Sequence, residues 1–210
     1  MTIKKNILIS ASGSKIAKAA AKKFEQEGWV VTEIGLPKQG VKGNYISCDL
    51  TDRKALSSEI DRLEKAGTHF DAVFVIIEEQ ISTSFEETDI GQWESLLKAW
   101  LGGASNMCKA ISPHMIGRGG GSIIILCPDY KNSGEDNIMN AAASHSLHGF
   151  AKSFGTEVAE AGVKVNVLWP GLPFDNEAVA DIAHYIACVD KYTAAGVISI
   201  AALVEEVAVR

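Results

Sequence analysis

The chain has none of the features that would place it outside the ordinary globular domains. There is no basic stripe. Its 20 Lys and Arg stand against 26 Asp and Glu, a net charge of -6 that favours solubility and argues against nucleic acid or an anionic membrane as partner. There is no CxxC pair. The four cysteines, Cys48, Cys108, Cys127 and Cys188, lie far apart, which fits free thiols in a reducing cytoplasm better than disulfides or a zinc site. The first apolar run, Ile7-Leu8-Ile9, is too short for a signal-peptide core or a membrane span and reads as a strand. No linker, repeat or low-complexity segment divides the sequence. One cytoplasmic domain over residues 1–210 is therefore expected. With 47% hydrophobic and 22% charged residues, it is large enough to bury a substantial core.

What is present is alternation. β-branched runs at Asn6–Ser10, Trp29–Ile34, Tyr45–Cys48, Ala72–Ile77, Ser122–Cys127, Lys164–Leu168 and Gly196–Ile200 predict seven strands. Several are apolar at consecutive positions, as in Ile123-Ile124-Ile125-Leu126, which suits a parallel strand covered on both faces. Helical segments lie between them. The expected fold class is α/β, a Rossmann-like doubly wound parallel sheet of about seven strands with helices on both faces. Ser12 or Ser14 can cap the first helix, with Ile16, Ala20 and Phe24 on its buried face.

The long helix around 138–160 carries two stripes. Ala143, Leu147, Phe150, Phe154 and Val158 should lie on the sheet. Ala142, Ser146, Gly149 and Ser153 form a seam of small residues, which allows another helix to approach closely, either within the subunit or across an interface. His145 and His148 are spaced i, i+3, a metal-ligand spacing with no third ligand in view. A solvent-facing or interface pair is the plainer reading.

Several phrases then occur in a telling order. They are Cys48-Asp49-Leu50-Thr51-Asp52, Trp93 before Leu101-Gly102-Gly103, Pro113-His114-Met115 before Gly119-Gly120-Gly121, Ser146-Leu147-His148-Gly149-Phe150-Ala151-Lys152-Ser153, and Val165-Asn166-Val167-Leu168-Trp169-Pro170-Gly171. Together they make the chain resemble the short-chain dehydrogenase/reductase family over essentially its whole length. The resemblance implies helix-mediated dimers or tetramers. It also implies functional residues that this chain does not have. The family's first turn reads T-G-x-x-x-G-x-G, and its glycine positions hold Ala11, Lys15 and Ala17 here. Glycine lets the backbone turn tightly and approach a pyrophosphate, and a lysine at the central position is expected to project into the phosphate space. Gly35 stands where the family has its ribose-gripping acid. Glu33, nearby on an alternating strand, need not face the crevice. The N-N-A-G after the fourth strand aligns with Val75 to Glu79. A glutamate such as Glu78 about 6 Å from a phosphate would be repelled by roughly 3 kcal/mol at an effective dielectric near 20. Asp49 is the one residual adenine contact.

The family's catalytic Asn, Ser, Tyr and Lys align with Trp100, Cys127 or Pro128, Asn140 and Ser144. An amide has no pKa near neutrality, so Asn140 cannot act as a general acid. Tyr130 has no lysine at helical spacing, and the adjacent Lys131 would point elsewhere. Trp100 is expected to plug the old substrate cavity, and Cys127 to be a structural thiol rather than a nucleophile. After Pro170-Gly171 the family's long substrate lid is missing, and Leu172-Pro173-Phe174-Asp175-Asn176 leads into a final helix, Glu177–Cys188. Lys15 with Ser12 and Ser14 could bind an anion, but filling and solvating an empty crevice is the simpler role.

A scaffold without its chemistry implies a non-catalytic subunit. It would bind no cofactor itself and would stabilise an active NAD-dependent paralogue, in a heterotetramer whose substrate is an acyl-CoA hydroxy intermediate. Family geometry and helical spacing put Met107, Ile111, Ala142, His145, Ser146, His148, Gly149, Lys152, Ser153, Ile198 and Ile200 in the interface. The competing expectations are an NAD(P)-dependent oxidoreductase with a rearranged site using Tyr130, Cys127 or a residue of a partner, and a ligand-binding scaffold that forms a homo-oligomer.

Overall fold

The computed structural model describes residues 4–11, 13–36, 43–127, 138–171, 174–189 and 195–199. Its strands are β1 (Asn6–Ile9), β2 (Val30–Gly35), β3 (Asn44–Ser47), β4 (Ala72–Val75), β5 (Gly121–Leu126), β6 (Val163–Trp169) and β7 (Ala195–Ser199). All seven form one sheet in the order β3-β2-β1-β4-β5-β6-β7, and every pairing is parallel. Each expected strand is present, its ends displaced by one or two residues.

The helices are α1 (Lys15–Gln26), α2 (Arg53–Lys65), α3 (Ile90–Leu97), α4 (Gly103–Gly117), α5 (Ile138–Val158) and α6 (Asn176–Cys188), and a π-helical turn, Lys98–Gly102, joins α3 to α4. Local chemistry sets their starts. Ser14, not Ser12, accepts from the Ala17 N–H at 3.1 Å to cap α1, while Ser12 lies outside the described residues. Asp89 and Gln92 make a reciprocal capping box on α3.

The sheet separates two apolar cores. One lies under α2, α3, α4 and α5 and includes Leu56, Leu96, Met107, Ile111 and Leu147. The other lies under α1 and α6, where Ile16, Ala20 and Phe24 meet Val179 and Ala183. Burying Phe24 completely contributes about 2–3 kcal/mol before packing is counted.

The buried stripe of α5 differs from the expected one. Ala143, Leu147 and Val158 face the core and Ala151 and Gly155 complete the line, whereas Phe150 and Phe154 are half-buried, pack against the margin of the same core and stack on each other at 5.6 Å. Proximity to the sheet explains the exchange. A Cβ on Gly155 would sit 2.7 Å from the Ala195 Cβ and 3.2 Å from the Val165 Cβ, so a phenylalanine on that line has no room.

The strand order reverses between β1 and β4, and a crevice opens there at the carboxyl ends of the strands. No helix among the described residues is long and apolar enough to cross a membrane.

Candidate functional site

The crevice has a volume of about 490 Å³. Ala11 after β1, Gly35 ending β2 and Leu36 following it, Asp49 after β3, and Ile77 and Glu78 after β4 are among its walls. Ser10 ties the two central strand ends together. Its hydroxyl accepts from the Ile76 N–H at 2.6 Å and donates to the Ile76 carbonyl at 2.7 Å. Ala11 follows with φ 54°, a left-handed conformation that costs a residue with a Cβ about 1–2 kcal/mol. The tight turn thus persists without its glycine, and the Ala11 methyl replaces open space on the wall.

The most consequential contact in this turn was not visible in the strand alternation. Glu33 is buried on β2, and its carboxylate accepts from the Gly13 N–H at 3.2 Å. An N–H that could hold an anion already holds one, supplied by the chain. A charged residue inside an otherwise apolar strand was the available signal. Lys15, expected in the phosphate space, is instead exposed on the first turn of α1 and is not among the crevice walls. Ala17 is buried in the α1–α6 core. Gly35 offers no side chain, and its carbonyl accepts from the Tyr45 hydroxyl at 2.7 Å. Asp49 lines the crevice while one of its oxygens accepts from the Thr51 N–H at 2.8 Å. These residues do not fit a dinucleotide. A carboxylate sits at the turn's N–H, a methyl narrows the turn, and Glu78 and Glu79 line the wall.

The positions aligned with the family's catalytic groups form internal bonds. Trp100 is fully buried in the π turn, and its indole N–H donates to the Glu79 carbonyl at 2.8 Å. Such widened turns often mark functional positions in a helix, and here the turn holds a tryptophan. Asn140 is 1% exposed, and its amide grips one residue at both ends. Its Oδ1 accepts from the Ile81 N–H at 3.0 Å, and its Nδ2 donates to the Ile81 carbonyl at 2.7 Å. The Cys127 thiol donates to the Ser144 carbonyl at 2.9 Å and lies 3.1 Å from the Ser144 hydroxyl. Pro128, Tyr130 and Lys131 lie outside the described residues. Trp100 and Asn140 therefore hold the 79–81 segment in place, and neither offers a proton near neutral pH. Ile81 as the partner of Asn140 could not be inferred from sequence, because 59 residues separate the two.

Only residues 170–175 separate β6 from α6. A second cleft, about 640 Å³, lies between the 79–83 segment and α3, with Gln80, Ser82, Thr83 and Gln92 among its walls.

On α5, Ala142, His145, Gly149, Lys152 and Ser153 are exposed, while Ser146 and His148 are half-buried. No atom lies within 4 Å of where a Gly149 Cβ would be, so the seam of small residues faces outward. His145 and His148 group with Trp169, with ring centroids 5.1, 5.2 and 4.3 Å apart, and the His145 Nδ1–H donates to the Ala141 carbonyl at 2.8 Å. No group of three metal-ligating side chains exists among the described residues. Met107 and Ile111 must be corrected. Both are fully buried in the subunit's own core and present nothing to a neighbour, because α4 turns that face onto the sheet and α2. Ile198 is half-buried against the α1–α6 core, and Ile200 lies outside the described residues.

Residues 10–209 match the family model described as enoyl-(acyl carrier protein) reductase, of the short-chain dehydrogenase/reductase type. The chain is 24% identical over 180 residues to an uncharacterized oxidoreductase of Staphylococcus epidermidis, covering 79% of this chain and 76% of that one. It is 27% identical over 177 residues to a 3-oxoacyl-(acyl-carrier-protein) reductase of Buchnera aphidicola, covering 78% and 71%. Its fold is similar to that of a short chain dehydrogenase from Mycobacterium smegmatis, with TM-score 0.84, 20% identity and coverage of 94% and 91%. It is also similar to the aldohexose dehydrogenase of Thermoplasma acidophilum, with TM-score 0.85, 17% identity and coverage of 94% and 92%.

Proposed function

The chain belongs to the short-chain dehydrogenase/reductase family, and on that premise we propose that it is a non-catalytic subunit supporting an active, NAD-dependent relative. Its relatives are oxidoreductases. The observation that carries the proposal is the double grip of Asn140 on Ile81, beside the bond from Trp100 to Glu79. Side chains at positions where the family resemblance implies proton transfer are committed to backbone groups. Moving them to perform chemistry would orphan buried polar atoms at about 1–3 kcal/mol each.

The partner, in this reading, is a homologous subunit that binds NAD and substrate. It packs against the outward seam of α5, around Ala142, Gly149 and Ser153, in a heterotetramer. The loss of catalytic groups is similar to that in the degenerate subunit of the dehydrogenase of anaerobic toluene degradation, which oxidises 2-(α-hydroxybenzyl)succinyl-CoA. On that likeness we assign the active partner an acyl-CoA hydroxy intermediate as substrate.

Native mass spectrometry of the chain co-expressed with short-chain dehydrogenases encoded beside it tests the proposal. A mixed species with cofactor only in the other subunit is the expected result. A homo-oligomer of this chain that saturates with NADH and reduces a carbonyl substrate would overturn it.

A further inference from the structure

We infer that Glu33 is a tethered anion: it occupies the turn after β1, holds that turn closed without a ligand and keeps a coenzyme's pyrophosphate out of it. The inference rests on the reading that this chain carries no dinucleotide, and it assigns the exclusion to one side chain.

Strand register places the residue. Glu33 pairs with Ile9 across β2 and β1, so it lies beside the last strand residue before the turn. The turn keeps features of an anion cradle. Ala11 and Gly13 both hold left-handed backbone, at φ 54° and 82°, a component of the turns whose N–H groups bind anions. Those N–H groups are taken from within the chain. That of Ser14 donates to the Ala11 carbonyl at 3.1 Å and that of Ala17 to the Ser14 hydroxyl at 3.1 Å. That of Gly13 donates to the Glu33 carboxylate at 3.2 Å, the one charged partner of the three. The first turn of α1 has no acidic residue of its own, so the negative charge that a helix N-terminus favours comes from β2. Glu33 is buried, and a buried carboxylate stays with its donors because water cannot replace them. A ligand that the fold ties to its site has a high effective concentration, and a free anion must displace it. An arriving phosphate therefore meets an occupied N–H and a like charge.

The test compares wild type with Glu33→Ala and Glu33→Gln, using inorganic pyrophosphate as the probe, by amide NMR and by Tm. Glu33→Ala frees the Gly13 N–H. It is expected to bind pyrophosphate at least about tenfold more tightly than wild type, with the Gly13 amide among the shifted signals. Its Tm should fall without the probe and recover in part at saturation. Glu33→Gln keeps an oxygen for the Gly13 N–H but removes the charge, so a gain of at least about threefold is expected. This near-isostere carries the test if the alanine variant does not fold. Glu157→Gln, exposed on α5 across the sheet from α1, removes the same charge and should bind pyrophosphate as wild type does. Equal affinities in wild type and the Glu33 variants, a gain that Glu157→Gln reproduces, or a Gly13 amide that pyrophosphate leaves unmoved would each overturn the inference. NADH forms a separate arm. Its saturable binding to wild type would overturn the non-catalytic reading and this inference with it. A wild type that ignores NADH, with no gain in pyrophosphate affinity on losing Glu33, would overturn the tethered anion alone.

Discussion

Replacing Asn140 by alanine tests whether the altered catalytic position now serves as a structural clamp. The side chain is 1% exposed and makes two hydrogen bonds to Ile81, at 3.0 and 2.7 Å. Each such bond contributes about 1 kcal/mol net, and each backbone group left without a partner away from water adds about 1 kcal/mol more. The expected loss is therefore about 2–4 kcal/mol, with the upper end applying if water cannot enter beside Trp100. In a chain of 210 residues, 1 kcal/mol moves Tm by about 2–4 °C, so a loss of about 3 kcal/mol lowers it by roughly 6–12 °C. Asn140→Asp sharpens the test. One oxygen can still accept from the Ile81 N–H, but the other faces the Ile81 carbonyl, so this near-isostere should destabilise at least as much as alanine. The assays are thermal denaturation and hydrogen exchange at the Ile81 amide, which should lose its protection in Asn140→Ala. A Tm within about 2 °C of wild type for Asn140→Ala, with the Ile81 amide still protected, would refute the clamp.

The two glycines of α5 should respond oppositely to alanine. Gly149→Ala, with no neighbour within 4 Å of the new methyl, is expected to stabilise the isolated chain by about 1 kcal/mol in chemical denaturation while weakening association with a partner in native mass spectrometry. Gly155→Ala should destabilise by about 1–3 kcal/mol, because its methyl lands on Ala195 and Val165. Burial, the largest effect on His184, holds its pKa below the ordinary histidine value near 6.5. The neutral ring is therefore the form the fold favours. Its contribution is complete above that value and is lost as pH falls through it toward the folded pKa. Wild-type Tm should accordingly fall more between pH 7 and pH 5 than that of His184→Phe, which keeps ring contacts with Phe24 and Trp29, and parallel curves would exclude the effect. Burial also pushes the Cys108 thiol up to about 12, so iodoacetamide followed by intact-mass mapping should modify exposed Cys188 first and reach Cys108 only on unfolding.

The strand sequence Ile123-Ile124-Ile125-Leu126, apolar on both faces, and the amphipathic spacing of Ile16, Ala20 and Phe24 were sufficient to indicate a parallel sheet covered by helices, because burial imposes those periods on any sequence. The residues at the aligned catalytic positions could likewise be named in advance, since an absent tyrosine or lysine needs no coordinates to detect. Their new partners could not be named. Asn140 meets Ile81, Trp100 meets Glu79, and Glu33 reaches Gly13 only because the sheet order brings the ends of β1, β2 and β4 together, and hydrogen bonding over such separations leaves no periodic trace.

The orientation of helix faces separates the two kinds of information most clearly. Sequence spacing identified two stripes on α5 and suggested Met107 and Ile111 as contacts for a neighbour. Which methyl points inward depends on how closely each helix lies against the sheet. Only the packed structure puts Gly155 against Ala195, Phe150 and Phe154 at the margin of the core, and Met107 and Ile111 inside it. Hydrophobic periodicity by itself determined the layered α/β fold, because it is a property of neighbours along the chain. The acidic crevice and the hydrogen-bonded clamp were decided by tertiary structure alone, because they depend on distances between residues that the sequence keeps far apart.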